Sequence, residues 1–482
     1  MKVVGNLKYM NSKYHNLIKD LFLFAISVFI PKAISFFLVP LYTNCLTTKE
    51  YGIVDMIGTT TGLIIPFLTL DINDAVLRFT IEKKTEKKPL QVAYRLCFYG
   101  IVLLSVLVIF NILFGIYNIN IRYQLFFVAQ YVFTALYGIN ISYMRATDRV
   151  SLLSAISIIN TIITVSMNIL LLLVFDMGIN GYLLSNTIGL FVVNVVIVYK
   201  INIKKLLYGI SQKNVVLQKQ MLQYSVPLVA SNIAWWVNSA SDRYIVTLFK
   251  GIAENGIYSV AYKIPTILQL LQSVFSQAWL LSVYKEYDKE DGNKFVENIY
   301  DLYNSAMCIS CSFLIIIDIP MAKFLYAKDF FYAWKYVPVL LISVVFIANA
   351  GFFESIITLF KKSKIVASTA VAGAAVNIIL NIILIYYLGV MGAAIATAGG
   401  YFVMWVLRVM VVKKDYPFYV NWIKHSMLIA ALFLEAFVMV KYQNYFICIL
   451  IMLVMCIIDY KTLMNIIKQF YKLLKRGIQA GK

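Results

Sequence analysis

With 482 residues, 61% of them hydrophobic and only 14% charged, and a mean hydropathy of +0.79, the chain is too apolar for a water-soluble protein, in which about 25% of residues are charged. Its 43 Lys and Arg against 23 Asp and Glu leave a net charge of +20. Those cations collect in short breaks between apolar runs, which excludes nucleic acid as a partner and points to anionic lipid headgroups.

A membrane-crossing helix needs about 20 mostly apolar residues, and runs of that length recur from Leu21 to Leu463. The expected fold class is an all-α integral membrane protein of about fourteen transmembrane helices. Residues 1–20 are polar and basic, and no cleavable leader is expected. Span 1, Leu21 to Leu46, carries Pro31 and Pro40 around Lys32 and should be bent, because each proline removes a backbone donor. Span 2, Tyr51 to Ile81, bears Asp55, Asp71, Asp74 and Arg78 and ends on the basic run Glu82 to Pro89. Spans 3 and 4, Val92 to Tyr117 and Tyr123 to Tyr143, form a hairpin. Spans 5 and 6, Ser151 to Phe175 and Gly181 to Tyr199, turn at Gly178-Ile179-Asn180-Gly181.

Residues 21–200 thus make an N-lobe, 201–220 a cytoplasmic linker and 221–412 a C-lobe. Spans 7 and 8 run from Met221 to Leu248 and from Gly256 to Tyr284. Spans 9 and 10, Val296 to Ile317 and Val337 to Phe360, flank an outer segment, Asp318 to Tyr336, with room for an interfacial helix. Spans 11 and 12, Val366 to Leu388 and Gly392 to Val412, turn at Gly389-Val390-Met391-Gly392. Residues 413–465 add spans 13 and 14, and 466–482 form a basic tail.

The two halves echo each other. Glu254-Asn255-Gly256-Ile257 repeats Glu50-Tyr51-Gly52-Ile53, and the Gly389 to Gly392 turn repeats that of Gly178 to Gly181. The two offsets differ only by a short loop, and both copies start on the same side, so two six-helix lobes are related by a parallel internal repeat. If alternate breaks face alternate sides, the outer ones hold few cations: Lys49, Arg122, Lys250, Lys323, Lys328, Lys335 and Lys441. That bias puts both termini in the cytoplasm.

The six cysteines lie in or beside spans. Cys308 and Cys311 have redox spacing, but with no second pair and no nearby His they read as packing thiols. His15 and His425 sit at the inner edge and carry no catalytic signal.

Charges inside a membrane are expensive and usually face a wet path or a partner. Lys32, Arg78, Arg243 and Lys263 are the candidates for a cationic, substrate-binding cavity, with snorkelling to an interface as the alternative for Lys32 and Arg78 and structural ion pairing for Arg243 and Lys263. Arg95 and Arg408, near span ends, should snorkel to the interface. Asp71, Asp74, Asp242 and Glu354 are candidates either for coupling to a proton or sodium gradient or for structural counter-charge. Trp235 and Trp236 are candidates for lining a glycan path. No metal, catalytic residue or bound cofactor is expected.

The strings FFLVPLYTNCLTTKEYGIVD (Phe36 to Asp55), AVLRFTIEKK (Ala75 to Lys84), NSASDRYIV (Asn238 to Val246) and GIYSVAYKI (Gly256 to Ile264) resemble those of polysaccharide biosynthesis proteins of the Wzx type. These are flippases for lipid-linked oligosaccharides, in the superfamily that also holds multidrug exporters of the MATE type. The resemblance implies passage of an undecaprenyl-diphosphate-linked glycan, an O-antigen or capsule repeat unit, from the inner to the outer leaflet of a bacterial inner membrane. It also implies work alongside the polymerase and glycosyltransferases of the same pathway. Elementary energetics agree, since each unpaired hydroxyl of a sugar costs on the order of several kcal/mol in hydrocarbon. A wet cavity removes that cost, and cations within it hold the diphosphate. The alternatives are a cation-coupled multidrug exporter of the same fold, or a membrane glycan polymerase or glycosyltransferase. The polymerase or transferase would need a sizeable extramembrane loop with clustered carboxylates, which the sequence lacks.

Overall fold

The computed structural model describes residues 29–82, 87–115, 119–201, 214–286, 292–360, 362–415, 419–460, 462 and 464. All regular structure among them is helical: α1 (29–37), α2 (Val39–Cys45), α3 (Thr48–Thr69), α4 (Ile72–Glu82), α5 (Lys88–Phe114), α6 (Ile121–Ala146), α7 (Val150–Ile169, extended by a π turn, Leu170–Val174) and α8 (Gly178–Ile201). There follow α9 (Val215–Lys250), α10 (Ile252–Ala261), α11 (Pro265–Glu286), α12 (Gly292–Ile316), α13 (Asp318–Leu325), a 3-10 helix (Lys328–Lys335), α14 (Val337–Leu359), α15 (Ser363–Leu388), α16 (Val390–Asp415), α17 (Trp422–Tyr442) and α18 (Tyr445–Ile458). Among the described residues, ten helices are long and apolar enough to cross a membrane. The chain is a multi-pass membrane protein, and the described part of each expected span falls on one helix or on a consecutive pair, residues 21–28 of span 1 and the expected terminal segments 1–20 and 466–482 lying outside the described residues.

The chain divides into two compact units, Met1–Trp236 and Val237–Lys482. The division falls inside the continuous helix α9, while most of the expected linker, 202–213, lies outside the described residues.

In the first unit, span 2 departs from the unbroken helix expected of it. A capping box starts α3: the Glu50 backbone N–H donates to Thr47 Oγ1 at 3.2 Å and the Thr47 N–H to Glu50 Oε2 at 2.9 Å. Pro66 interrupts the hydrogen-bond ladder, and the chain then turns through two consecutive left-handed residues, Leu70 at φ 51° and Asp71 at φ 55°, before α4 resumes. A left-handed conformation is costly for any residue with a Cβ, so neighbours must hold it. Gly100 on α5 lets the Leu68 carbonyl approach to where a Cβ would sit 2.6 Å away, and Gly138 on α6 does the same for the Asn73 amide at 3.0 Å. Asn232 on α9 donates a short hydrogen bond to Asp71. Deeper in the unit, Tyr94, Asn140 and Asn194 form a hydrogen-bonded ladder across α5, α6 and α8.

In the second unit α14 is the central helix, 83% of its apolar window being enclosed by protein. Helices α15 and α16 pack closely because small residues face each other: a Cβ on Gly373 would lie 2.9 Å from the Gly400 carbonyl oxygen. The rings of Phe275 and Tyr303 stack at 3.9 Å, and those of Trp279 and Phe352 at 4.2 Å. The α17–α18 hairpin is fastened to α12 by charge. Lys424 Nζ lies 2.7 Å from Asp301 Oδ2 and 2.5 Å from Asp459 Oδ1.

His425 continues this network to α14. Asn349 Nδ2 donates to Asn304 Oδ1 at 2.8 Å, which turns the Asn304 amide N–H₂ toward His425 Nδ1 at 2.5 Å. The other ring nitrogen, Nε2, lies 3.3 Å from Asp301 Oδ1.

The two units carry matching turns. Gly178 and Gly389 both have positive φ, 53° and 62°. In the first unit Glu50 lies against Gly178, and in the second Lys250 lies against Gly389. Each unit thus sets the turn of one long hairpin against the glycine turn of another.

Candidate functional site

A polar constellation in the second unit surrounds Asp242, on α9, which is only 3% exposed. Its Oδ2 accepts hydrogen bonds from Tyr258 and Tyr262, both at 2.7 Å, and faces the Thr397 hydroxyl on α16 at 3.4 Å; Oδ1 takes the Arg243 backbone N–H at 2.9 Å. The arrangement follows from sequence spacing. Tyr258 and Tyr262 are four apart, so both rings leave α10 and its end on one face. Beside them, Ser241 donates to Asn377 Oδ1 at 3.4 Å and Asn381 to the same oxygen at 3.1 Å.

These groups are hard oxygen ligands around a single carboxylate. Such a set suits a monovalent cation or a proton rather than a divalent metal, which draws several carboxylates. Among the described residues no cluster of three or more His, Cys, Asp or Glu side chains is placed to hold a metal.

Asp242 and Arg243 do not pair side chain to side chain. The carboxylate is engaged by the two tyrosines and Thr397, while the half-buried guanidinium carbon lies 5.4 Å from the Tyr262 ring centroid, a cation–π contact. Lys263, half-buried, sits at the break between α10 and α11, two residues beyond the helix end. Span 8, expected to be one helix, thus bends at the position of its cation.

Arg408 does not snorkel as expected. Its side chain is 3% exposed, bound to Glu354 Oε2 at 2.7 Å, to the Ala350 carbonyl at 3.0 Å and to the Thr369 hydroxyl at 3.2 Å. The backbone carbonyl and hydroxyl explain its inward turn, since they complete the donor fork that a lone carboxylate leaves unfilled. Glu354 here acts as a counter-charge.

In the first unit, Lys32 is exposed on α1. Arg78 is exposed on α4, 3.0 Å from Glu82 and 4.5 Å above the Tyr224 ring. Asp71 is buried at the α3–α4 break, whereas Asp74 is exposed in the first turn of α4. Trp236 donates to the Thr59 carbonyl at 3.0 Å and packs beside Gly62, while Trp235 is 70% exposed. Arg95, also expected to snorkel, is buried. The sequence reading missed the Asp301–Lys424–His425–Asp459 network. Its signal was present in the three- and four-residue spacing of polar groups along α12, at 301, 304, 308 and 311.

An apolar cavity of about 610 Å³ opens between α14, α16 and α17, lined by Phe346, Met391, Ile395, Phe402, Phe433 and Phe437 among others. It bears no charge and suits a hydrocarbon chain, not a phosphate.

The described residues thus form a multi-pass helical membrane protein whose helices break at Leu70 and Asp71 and again beside Lys263. The polysaccharide biosynthesis protein family matches residues 17–280, more than half of the chain, and the chain belongs to that family. Solved structures share the fold. A lipid II flippase, MurJ, in an inward closed conformation aligns with a TM-score of 0.69 at 16% identity, covering 92% of this chain and 99% of that one. An inward-facing multidrug resistance MATE family transporter of the MOP superfamily aligns at 0.62 and 12% identity, covering 84% and 98%. The Vibrio cholerae MATE transporter VcmN, in its bent form, aligns at 0.53 and 14% identity, covering 84% and 98%. No curated protein matches in sequence.

Proposed function

We propose that the protein is a non-enzymatic flippase that carries an undecaprenyl-diphosphate-linked oligosaccharide from the inner to the outer leaflet of a bacterial inner membrane. The observation that carries this reading is the conjunction of membership in a polysaccharide biosynthesis family with a fold shared by a lipid II flippase. The diphosphate is drawn by Lys32, Arg78, Arg243 and Lys263. Outward movement of negative charge is favoured by a negative-inside potential, by about 2.3 kcal/mol per charge per 100 mV. Trp235, with a large exposed ring, offers a stacking surface to sugars. The carboxylate, hydroxyl and amide oxygens of Asp242, Thr397, Asn377 and Asn381 are the group best suited to a coupling cation. The apolar cavity beside α17 gives a polyprenyl chain a seat.

The likeness to MATE transporters favours a second reading, a cation-coupled multidrug exporter. The several membrane-embedded cations of this chain oppose it, because they would repel cationic drugs. The deciding experiment is the double variant Arg243→Ala with Lys263→Ala in cells. The expected outcome is normal membrane insertion with loss of surface glycan and accumulation of lipid-linked glycan on the inner leaflet. Unchanged surface glycan would overturn the assignment of these cations, and unchanged glycan in a full deletion would overturn the flippase reading.

A further inference from the structure

Buried charges in the second unit are met by partners: Asp242 by two tyrosines and a threonine, Arg408 by Glu354, and Asp459 by Lys424. Among the described residues two acids break this rule. Glu435 on α17 is 0% exposed, with neither carboxylate oxygen hydrogen-bonded, and Asp318 at the start of α13 is likewise 0% exposed with both oxygens unpartnered.

Both lie along one seam. Glu435 faces Ser312 and Cys311 on α12 and Cys448 on α18; on its α14 side the helix meets Phe346, which packs against Phe433. No Lys, Arg or His is among these neighbours. Cys448 also touches the Glu435 backbone carbonyl, its sulfur 3.8 Å from that oxygen. One turn earlier on α18, Tyr445 faces Asp318 and is 38% exposed. From Ser312 to Asp318 the chain rises about 9 Å at helical pitch. An exposed tyrosine and two fully buried acids therefore lie along one seam.

An ionised carboxylate with no cation beside it, facing only the Ser312 hydroxyl and two thiols, has little to offset its lost hydration. A carboxylic acid in the same place is neutral and fits. Asp318, which lies outside the membrane-spanning segments, shows the same logic: burial pushes its carboxyl well above the usual aspartate range.

We propose that Glu435 is a proton-binding site, loaded by way of Asp318 from the end of the seam where Tyr445 lies, and that its proton is taken up and released during transport. The second half of this statement rests on the flippase reading, on which that end is the outer face. The step is protonation of a carboxylate to a carboxylic acid and its reversal, with no other bond changed. The site is separate from Asp242, whose carboxylate is already engaged by hydroxyl donors.

The test uses the purified full-length protein in lipid vesicles, read by the infrared carbonyl stretch of protonated carboxyl groups at neutral pH. Wild type should show this band, and Glu435→Gln should lose one component of it. Asp318→Asn should lose another component and slow deuterium exchange at the one that remains. Should Glu435→Gln fold poorly, Glu435→Asp keeps the acid and should keep the component. A Glu435→Gln spectrum that superimposes on wild type would overturn the site. In the same vesicles, a pH gradient should drive lipid-linked glycan across the membrane in wild type, and Glu435→Gln should abolish that response. Undiminished gradient-driven movement in Glu435→Gln would overturn the coupling. A normal band with no glycan movement in any protein, wild type included, would uphold the proton site and remove the flippase reading.

Discussion

A single hydrogen atom on Gly100 is what allows the Leu68 carbonyl and the Tyr131 hydroxyl to crowd against α5. In Gly100→Ala the new methyl group would meet both at 2.6 Å, one of them backbone. Overpacking of this kind costs about 1–3 kcal/mol, so the purified variant should unfold at a lower temperature than wild type, whereas Gly58→Ala, with open space around it, should change little. Arg408 makes the opposite case. Its guanidinium is held on three sides, and Arg408→Ala leaves three acceptors without their donor, a loss of about 1–3 kcal/mol, measurable as lower yield of folded protein in membranes. Asp318 adds a pH effect with a definite sign. Its folded carboxyl holds the proton more tightly than the unfolded chain does, so its ionisation stays suppressed in the fold as pH rises past the ordinary aspartate range. Stability should decline over that rise, and Asp318→Asn should flatten the profile in thermal melts taken at successive pH values. Individual charges were easy to find in the sequence because any charge in an apolar run stands out. Which of them pair was not legible, since Glu354 and Arg408 meet across two helices far apart in the chain, and nothing local to Arg243 marks the Tyr262 ring it lies over.

At the scale of helices, hydropathy marked where spans lie but not where they break. Span 8 bends at Lys263, and span 2 bends at Leu70 and Asp71, where the sequence offers no glycine and only Pro66 hints at trouble. The break exists because α5 and α6 supply the glycines and α9 supplies Asn232, and partners distant in sequence leave no local signal. Asp71→Leu would remove the acceptor of Asn232 and leave that amide unpaired at a cost of about 1–3 kcal/mol. Greater protease sensitivity of α3 and α4 than in wild type is the expected readout. The clamp on the last helix pair was also hidden, though its ingredients were regularly spaced. Lys424 and His425 close the first turn of α17, Asp459 caps α18, and Asp301 sits on α12 between them.

For the molecule as a whole, the all-helical, multi-pass class was readable from the apolar runs, and the two matching glycine turns were visible as repeated strings. The family resemblance came from strings spread along the chain rather than from one motif. The identity of the compact units was less accessible, because α9 runs without interruption through the point where one ends and the other begins. One consequence follows from the corner that span 2 turns. A helix with two axes does not behave as one rod: torque applied at Thr47 reaches Glu82 only by way of two strained peptide units. Each arm is then held by its own neighbours, so a tilt imposed at one end of this span need not be passed on to the other.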